Sequence, residues 1–188
     1  MKSTLPVRGR TVAVAALAAV LLGLLLAAVD SKAATKTGGY SSEAPAPVMA
    51  PTARAALSSD NRTAMIPQGA PEAVVKAITA ANRITRKPYK WGGGHARWND
   101  TGYDCSGSVS YVLHAAGLLR TSRDSTGFMG YGYKGKGRWI TLYANGGHAY
   151  MVIAGLRLDT SGRGEDGPRW RVEPRSGRGF VKRHPGYL

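Results

Sequence analysis

The chain has 188 residues, with 26 Lys and Arg against 11 Asp and Glu, a formal net charge of +15, one cysteine and four histidines. A lone cysteine excludes an internal disulfide, and with four scattered histidines it gives no zinc-ligand spacing, so neither a disulfide scaffold nor a bound metal or other cofactor is expected. The positive charge is spread along the sequence rather than gathered into an aromatic-interleaved stripe or a DNA-reading helix. That pattern argues against nucleic acid as a partner and for general attraction to polyanionic surfaces.

The N-terminus reads as an export segment over residues 1–33. Lys2, Arg8 and Arg10 precede an uncharged apolar stretch from Val12 to Val29, and Ser31-Lys32-Ala33 offers a small-x-small cleavage site. It is either a cleaved signal peptide or a retained signal anchor, since the stretch nearly suffices to span a bilayer. Both versions place the rest of the chain outside the cytoplasmic membrane, secreted or at the cell wall, with membrane contact only through an uncleaved segment. The polyanions within reach there are cell-surface polymers, anionic cell-wall polymers among them, and anionic lipid headgroups. Residues 34–70 are rich in Ala, Pro and Ser and poor in large apolar side chains, which predicts a disordered linker. From Pro71 to Leu188 the composition changes: all four Trp and eight of the nine Tyr fall here, in a length that suits one small domain.

Within that domain Pro71 and Glu72 open a helix, with an apolar stripe of Val74, Val75, Ile78, Ala81 and Ile84 that ends before Pro88. The Gly-rich loop YKWGGGHARWNDTGYDC leads into a second helix, capped by Asp104, whose apolar face is Val109, Val112, Leu113 and Ala116 and whose stop is Gly117. A second Gly-rich stretch, Thr121 to Gly137, is expected to wall a substrate groove. Its GYGYKGKG run lacks the Ser/Thr and the preceding strand of a phosphate loop. Strands follow at Trp139–Asn145, His148–Ala154, Leu156–Thr160 and Arg178–His184, with a tight turn at Ala154-Gly155. Helices first and an antiparallel sheet after them define an α+β fold.

Cys105 falls in the first turn of the second helix, where unpaired N–H groups and the helix dipole favour a thiolate. His148 comes 43 residues later, at the start of a strand, behind a Gly-Gly pair. If the Ala154-Gly155 turn has two residues, position 148 faces 161, and His148, Tyr150, Asp159 and Ser161 share one face. A three-residue turn would replace Asp159 by Thr160. The two-residue form is favoured because it sets a carboxylate where it can accept the imidazole N–H. His95, His114 and His184 read as surface or loop residues.

Three segments, PYKWGG, YDCSGSVSYVLHAAGL and a GGH that opens a strand before a short hairpin, resemble the NlpC family of papain-like bacterial cell-wall cysteine peptidases. The resembling part runs from about Pro71 to His184. It implies a papain-like α+β domain, N-terminal helices on an antiparallel sheet, that hydrolyses peptide bonds in peptidoglycan stem peptides, usually between D-glutamate and a diamino acid. By matched motif Cys105 is the nucleophile and His148 the general base. Asp159 stands one residue closer to the histidine than the family's third polar residue, as a shortened hairpin would place it. Tyr89 matches a tyrosine that lines the site near the oxyanion, and Asp104 and Ser106 match positions that bind the free amino end of the stem peptide. The spacer between Tyr89 and Cys105 is longer than in the family, and its His95 and Trp98 are expected to reshape the groove. The order Cys, His, Asp also occurs in transglutaminase-like acyl transferases. That activity, a muramoyl-alanine amidase and a non-catalytic wall-binding module are the alternative readings.

Overall fold

The computed structural model describes residues 54–162 and 167–188. The expected export segment and residues 34–53 of the expected linker lie outside the described residues. The linker boundary itself moves: residues 54–70 belong to the folded domain. They contain a two-stranded antiparallel hairpin, β1 Ala56–Leu57 and β2 Ala64–Met65. Hydrogen bonding rather than large apolar area holds this segment, which is why composition missed it. The Ala55 N–H donates to Ala154 O at 2.9 Å. The Asn82 side chain brackets Ala64, accepting from its N–H at 2.9 Å and donating to its carbonyl at 3.0 Å.

Helix α1, Glu72–Ile84, buries Val74, Ala77, Ile78, Ala81 and Ile84, close to the expected stripe, while Val75 lies at its half-buried edge. Helix α2, Cys105–Ala115, packs against α1 and carries buried Val109, Val112 and Leu113. A short helix α3, Ser125–Phe128, interrupts the second Gly-rich stretch and drives Phe128 into the core.

Six strands then build one antiparallel sheet: β3 Tyr133–Lys134, β4 Ile140–Ala144, β5 Ala149–Ile153, β6 Leu156–Asp159, β7 Arg169–Arg171 and β8 Val181–His184, in the spatial order β3-β8-β4-β5-β6-β7. The short β3 and β7 are additions to the strands expected from the sequence, and β8 starts three residues later than expected. One face, with Leu142, Met151, Leu158 and Trp170 aligned across four strands, meets the helices in a single core. This is the α+β arrangement expected.

The turn between β5 and β6 has two residues. Ala154 and Gly155 both take positive φ, 48° and 87°, and the pairing runs Ile153 with Leu156 and Met151 with Leu158. Positive φ at both central positions is the primed turn whose twist matches its strands. This register puts Asp159, and not Thr160, on the face of His148 and Tyr150.

The start of α2 is pressed against the loop before it. A Cβ on Gly107 would sit 1.8 Å from Gly93 O, so only glycine fits there. Gly107→Ala is expected to destabilise the domain by about 1–3 kcal/mol, the usual range for overpacking. Urea unfolding should show it as a lower midpoint at unchanged slope.

Candidate active site

Three local devices bring the expected residues together. Asp104, in extended conformation, caps α2 through an Oδ1 that accepts the Gly107 N–H at 2.6 Å, and this fixes the first turn from which Cys105 projects. At the other side, Asn145 Oδ1 accepts the N–H groups of Gly147 at 3.0 Å and His148 at 2.9 Å, which sets the entry to β5. The primed turn then supplies Asp159, whose Oδ1 lies 2.9 Å from His148 Nε2. With Nε2 committed to the carboxylate, Nδ1 is the ring nitrogen left for sulfur, and the Cys105 thiol hydrogen-bonds both the imidazole and the Ala149 N–H.

Asp159 is wholly buried. Its Oδ1 also accepts from the Ser161 N–H and hydroxyl, each at 2.9 Å, and its Oδ2 accepts from Arg175 Nη1 at 2.9 Å. A buried carboxylate with this many donors stays ionised. Burial alone would raise its pKa, but the His148, Ser161 and Arg175 contacts overcome that and hold it at about 2. His148 shows the same balance with opposite sign: burial disfavours its charge, while bonds to Asp159 and Cys105 raise its pKa to about 9. For Cys105 burial pushes the thiol up, yet the His148 and Ala149 hydrogen bonds bring it below its ordinary 9.0. The two partners move in complementary directions. The pair is thus biased toward a thiolate beside an imidazolium, with an ionised aspartate behind it.

The pair opens on a cleft of ≈ 270 Å³ whose walls include Tyr89, Trp91, His95, Asp104, Ser106, Asp124 and Ser125, with Gly146 and Gly147 beside the histidine. Tyr89 and Ser106 both line this cleft, and burial followed by the negative charges of Cys105 and Asp104 raises the pKa of the Tyr89 phenol. Asp104 does more than cap: Oδ2 accepts from the Gly92 N–H at 3.0 Å, and Oδ1 lies 3.1 Å from His95 Nε2 and 3.2 Å from the Ser106 hydroxyl.

His95, a loop residue as expected and one of the two expected to reshape the groove, is a wall of the cleft, 3.2 Å from Ser106 Oγ as well. The available signal was its place in the Gly-rich loop just ahead of the Cys105 helix. Trp98 behaves otherwise than expected: it stacks on His114 with ring centroids 3.8 Å apart and planes nearly parallel, and does not line the cleft. His184 bonds Pro185 O and stacks on Tyr133, away from the site. Sequence reasoning also missed Arg175 and Phe180. Both come from the β7–β8 connection, and Phe180 meets the His148 ring edge-on at 6.3 Å. Nothing in their local sequence distinguishes them from other surface Arg and loop Phe. Among the described residues no group of His, Cys, Asp and Glu is disposed to hold a metal ion.

No protein-family model matches the chain, and no curated protein is significantly similar to it. Among solved structures it is similar to the peptidoglycan hydrolase RipB from Mycobacterium tuberculosis, with 27% identity and a TM-score of 0.48, over 59% of this chain and 64% of that one. The chain thus spans less than two thirds of that RipB structure. It is also similar to a structure of RipA, the resuscitation promoting factor interacting protein, at 21% identity and TM-score 0.46, and to a hypothetical invasion protein of Mycobacterium tuberculosis at 21% and 0.45. Both of these cover 70% of each chain.

Asp159→Asn keeps the shape at position 159 but removes the charge that holds the imidazolium. The His148 pKa should fall from about 9 toward its ordinary 6.5, and the thiolate fraction with it. Carboxamidomethylation of Cys105 at pH 7 should slow by about tenfold or more, one pKa unit being tenfold in the proton equilibrium. Peptide mass mapping over a time course measures this, with circular dichroism to verify folding.

Proposed function

We propose that the protein is an exported cysteine hydrolase that cleaves peptide bonds in peptidoglycan stem peptides, of the D-glutamyl–diamino acid endopeptidase type. The observation that carries this reading is the placement of Cys105 and His148 together on the cleft, with the Asp159 carboxylate 2.9 Å behind the imidazole. The sequence resemblance supplies the substrate class, and the basic character of the chain suits retention at an anionic wall.

The chemistry follows from what each group holds. The Cys105 thiolate attacks the scissile carbonyl carbon, and the carbonyl electrons move onto oxygen. The Cys105 N–H, one of those a helix start leaves without an internal partner, and the Tyr89 hydroxyl are the donors available to that oxyanion. Collapse breaks the C–N bond as the imidazolium of His148 gives its proton to the departing amine, leaving a thioester. A water, deprotonated by the now neutral His148, attacks the thioester. The acid product leaves, and the thiolate–imidazolium pair is restored. Throughout, Asp159 keeps Nε2 protonated and the ring in place, the role a carboxylate plays behind a catalytic histidine. Asp104, with Ser106 and His95 around it, presents a carboxylate to the cationic amino end of the acyl-side peptide.

Purified chain incubated with muropeptides and analysed by mass spectrometry should yield two fragments whose masses sum to the substrate plus one water. Cys105→Ala should abolish them. Products formed equally by that variant would overturn the reading, as would intact substrate from the wild type. A mass gain equal to an added amine would instead identify acyl transfer.

The pH profile has defined limbs. Activity needs sulfur deprotonated and imidazole protonated, so it should fall on the acid side as the thiolate is protonated, below the ordinary 9.0 of a thiol. It should fall again on the alkaline side through about 9, as His148 loses its proton. Initial rates of muropeptide cleavage between pH 5 and 10 test both limbs (about the range over which these groups titrate).

A further inference from the structure

The sheet face away from the helices carries a second cavity, larger than the cleft at Cys105. It measures ≈ 390 Å³ and is lined by Arg54, Lys136, Arg157 and Arg175, with Tyr143 and Tyr150 on its floor and Glu173 at its side. Four cations line it, against the Glu173 carboxylate and the buried Asp159, which Arg175 and Arg157 approach at 2.9 and 3.6 Å. The fold gathers them from four separate places: the segment before β1, the β3–β4 connection, strand β6 and the β7–β8 connection. The Ala55–Ala154 backbone bond and the packing of Arg54 on Gly155 bring the first of these to the turn of the β5–β6 hairpin.

Two polar groups here lack the partners that buried groups ordinarily have. Tyr150 is 1% exposed, and its hydroxyl makes no hydrogen bond. The buried Arg157 Nε also has none, its nearest carboxylate oxygen, on Asp159, being 3.6 Å away. Burial, and after it the repulsion of Arg171 and Arg175 against the pull of Asp159, disfavours the Arg157 charge. Arg175 uses Nη1 on Asp159 and Ser161 and lays its guanidinium over the Tyr150 and Phe180 rings, each 5.3 Å away.

Converging guanidinium groups beside an unused hydroxyl match a multiply charged tetrahedral oxyanion, for which the Arg fork is suited. The cavity is far roomier than a bare oxyanion needs and falls within the size range of small-ligand sites. The lining also includes Tyr143, Val152, Gly155, Val172, Pro174 and the Glu173 carboxylate, a mixed surface that suits a neutral hydroxylated body. We propose that this cavity is a binding site for a sugar phosphate, with the phosphate held by Arg54, Lys136, Arg157, Arg175 and the Tyr150 hydroxyl. The site stands apart from the cysteine chemistry and does not depend on the hydrolase reading. Through Arg175 its occupant would nonetheless touch the residue that clamps Asp159.

Isothermal titration of the purified chain at low salt tests this with three probes: glucose 6-phosphate, inorganic phosphate and glucose. Glucose 6-phosphate should bind at one site per chain, at least tenfold more tightly than inorganic phosphate, and glucose should give no heat. The double variant Arg54→Gln/Lys136→Gln, altered only at the rim, should weaken glucose 6-phosphate binding at least tenfold while melting as the wild type does. Tyr150→Phe should weaken it severalfold without lowering the melting temperature, because the hydroxyl it removes has no partner in the free protein. Absence of saturable binding overturns the proposal. So does inorganic phosphate binding as tightly as the sugar phosphate, or binding untouched by the rim variant.

Discussion

The candidate active site of this domain depends on a buried anion. Asp159 lies out of solvent, yet burial costs a carboxylate several kcal/mol unless donors replace the water it loses. The fold provides them from three directions: the imidazole of His148, the backbone and hydroxyl of Ser161, and Arg175 from the β7–β8 connection. Each donor is thereby fixed in turn. The ring of His148 cannot rotate without giving up its bond to the carboxylate, and the sulfur in front of it meets an imidazole held by that bond.

That arrangement works because two elements of secondary structure meet end to end. A helix start stabilises negative charge through its free N–H groups, and Cys105 is the first residue of α2. The entry of β5 presents the Ala149 N–H and the His148 ring to the same sulfur. Glycines at Gly93 and Gly107 permit the close approach of the preceding loop, and Asp104 ties loop and helix together through Gly92 and Gly107. The thiolate is favoured by geometry that already exists without substrate, so no reorganisation is required before attack.

Much of this was legible in the sequence, for physical reasons. The helix of Cys105 announces itself through its Asp cap and apolar periodicity, and the β5–β6 hairpin through alternation and a Gly-containing turn. Given a two-residue turn, the period of a strand leaves only one face for position 159, so the third member of the site followed from counting. Other features came from long-range contacts that no local pattern encodes. The hairpin of residues 54–70 is held by Asn82 and Ala154 rather than by hydrophobic area. His95 is intermediate: its loop was expected to reshape the groove, and the fold of that loop back on Asp104 makes it a wall. Arg175 and Phe180 arrive from a connection that composition reads as ordinary surface. Trp98 went the other way, a large side chain beside the site that packs on His114 instead.

The central claim is that His148 holds the Cys105 thiol below its ordinary pKa of 9.0. With a single cysteine in the chain, the ultraviolet absorbance of the thiolate, taken as a difference against Cys105→Ser and followed with pH, reports on that sulfur alone. The account predicts that the wild-type thiolate signal is lost with a midpoint below 9.0, and that His148→Ala returns the transition toward the ordinary 9.0 or above. A wild-type sulfur that titrates at 9.0 or higher, with no difference from the His148 variant, would contradict it.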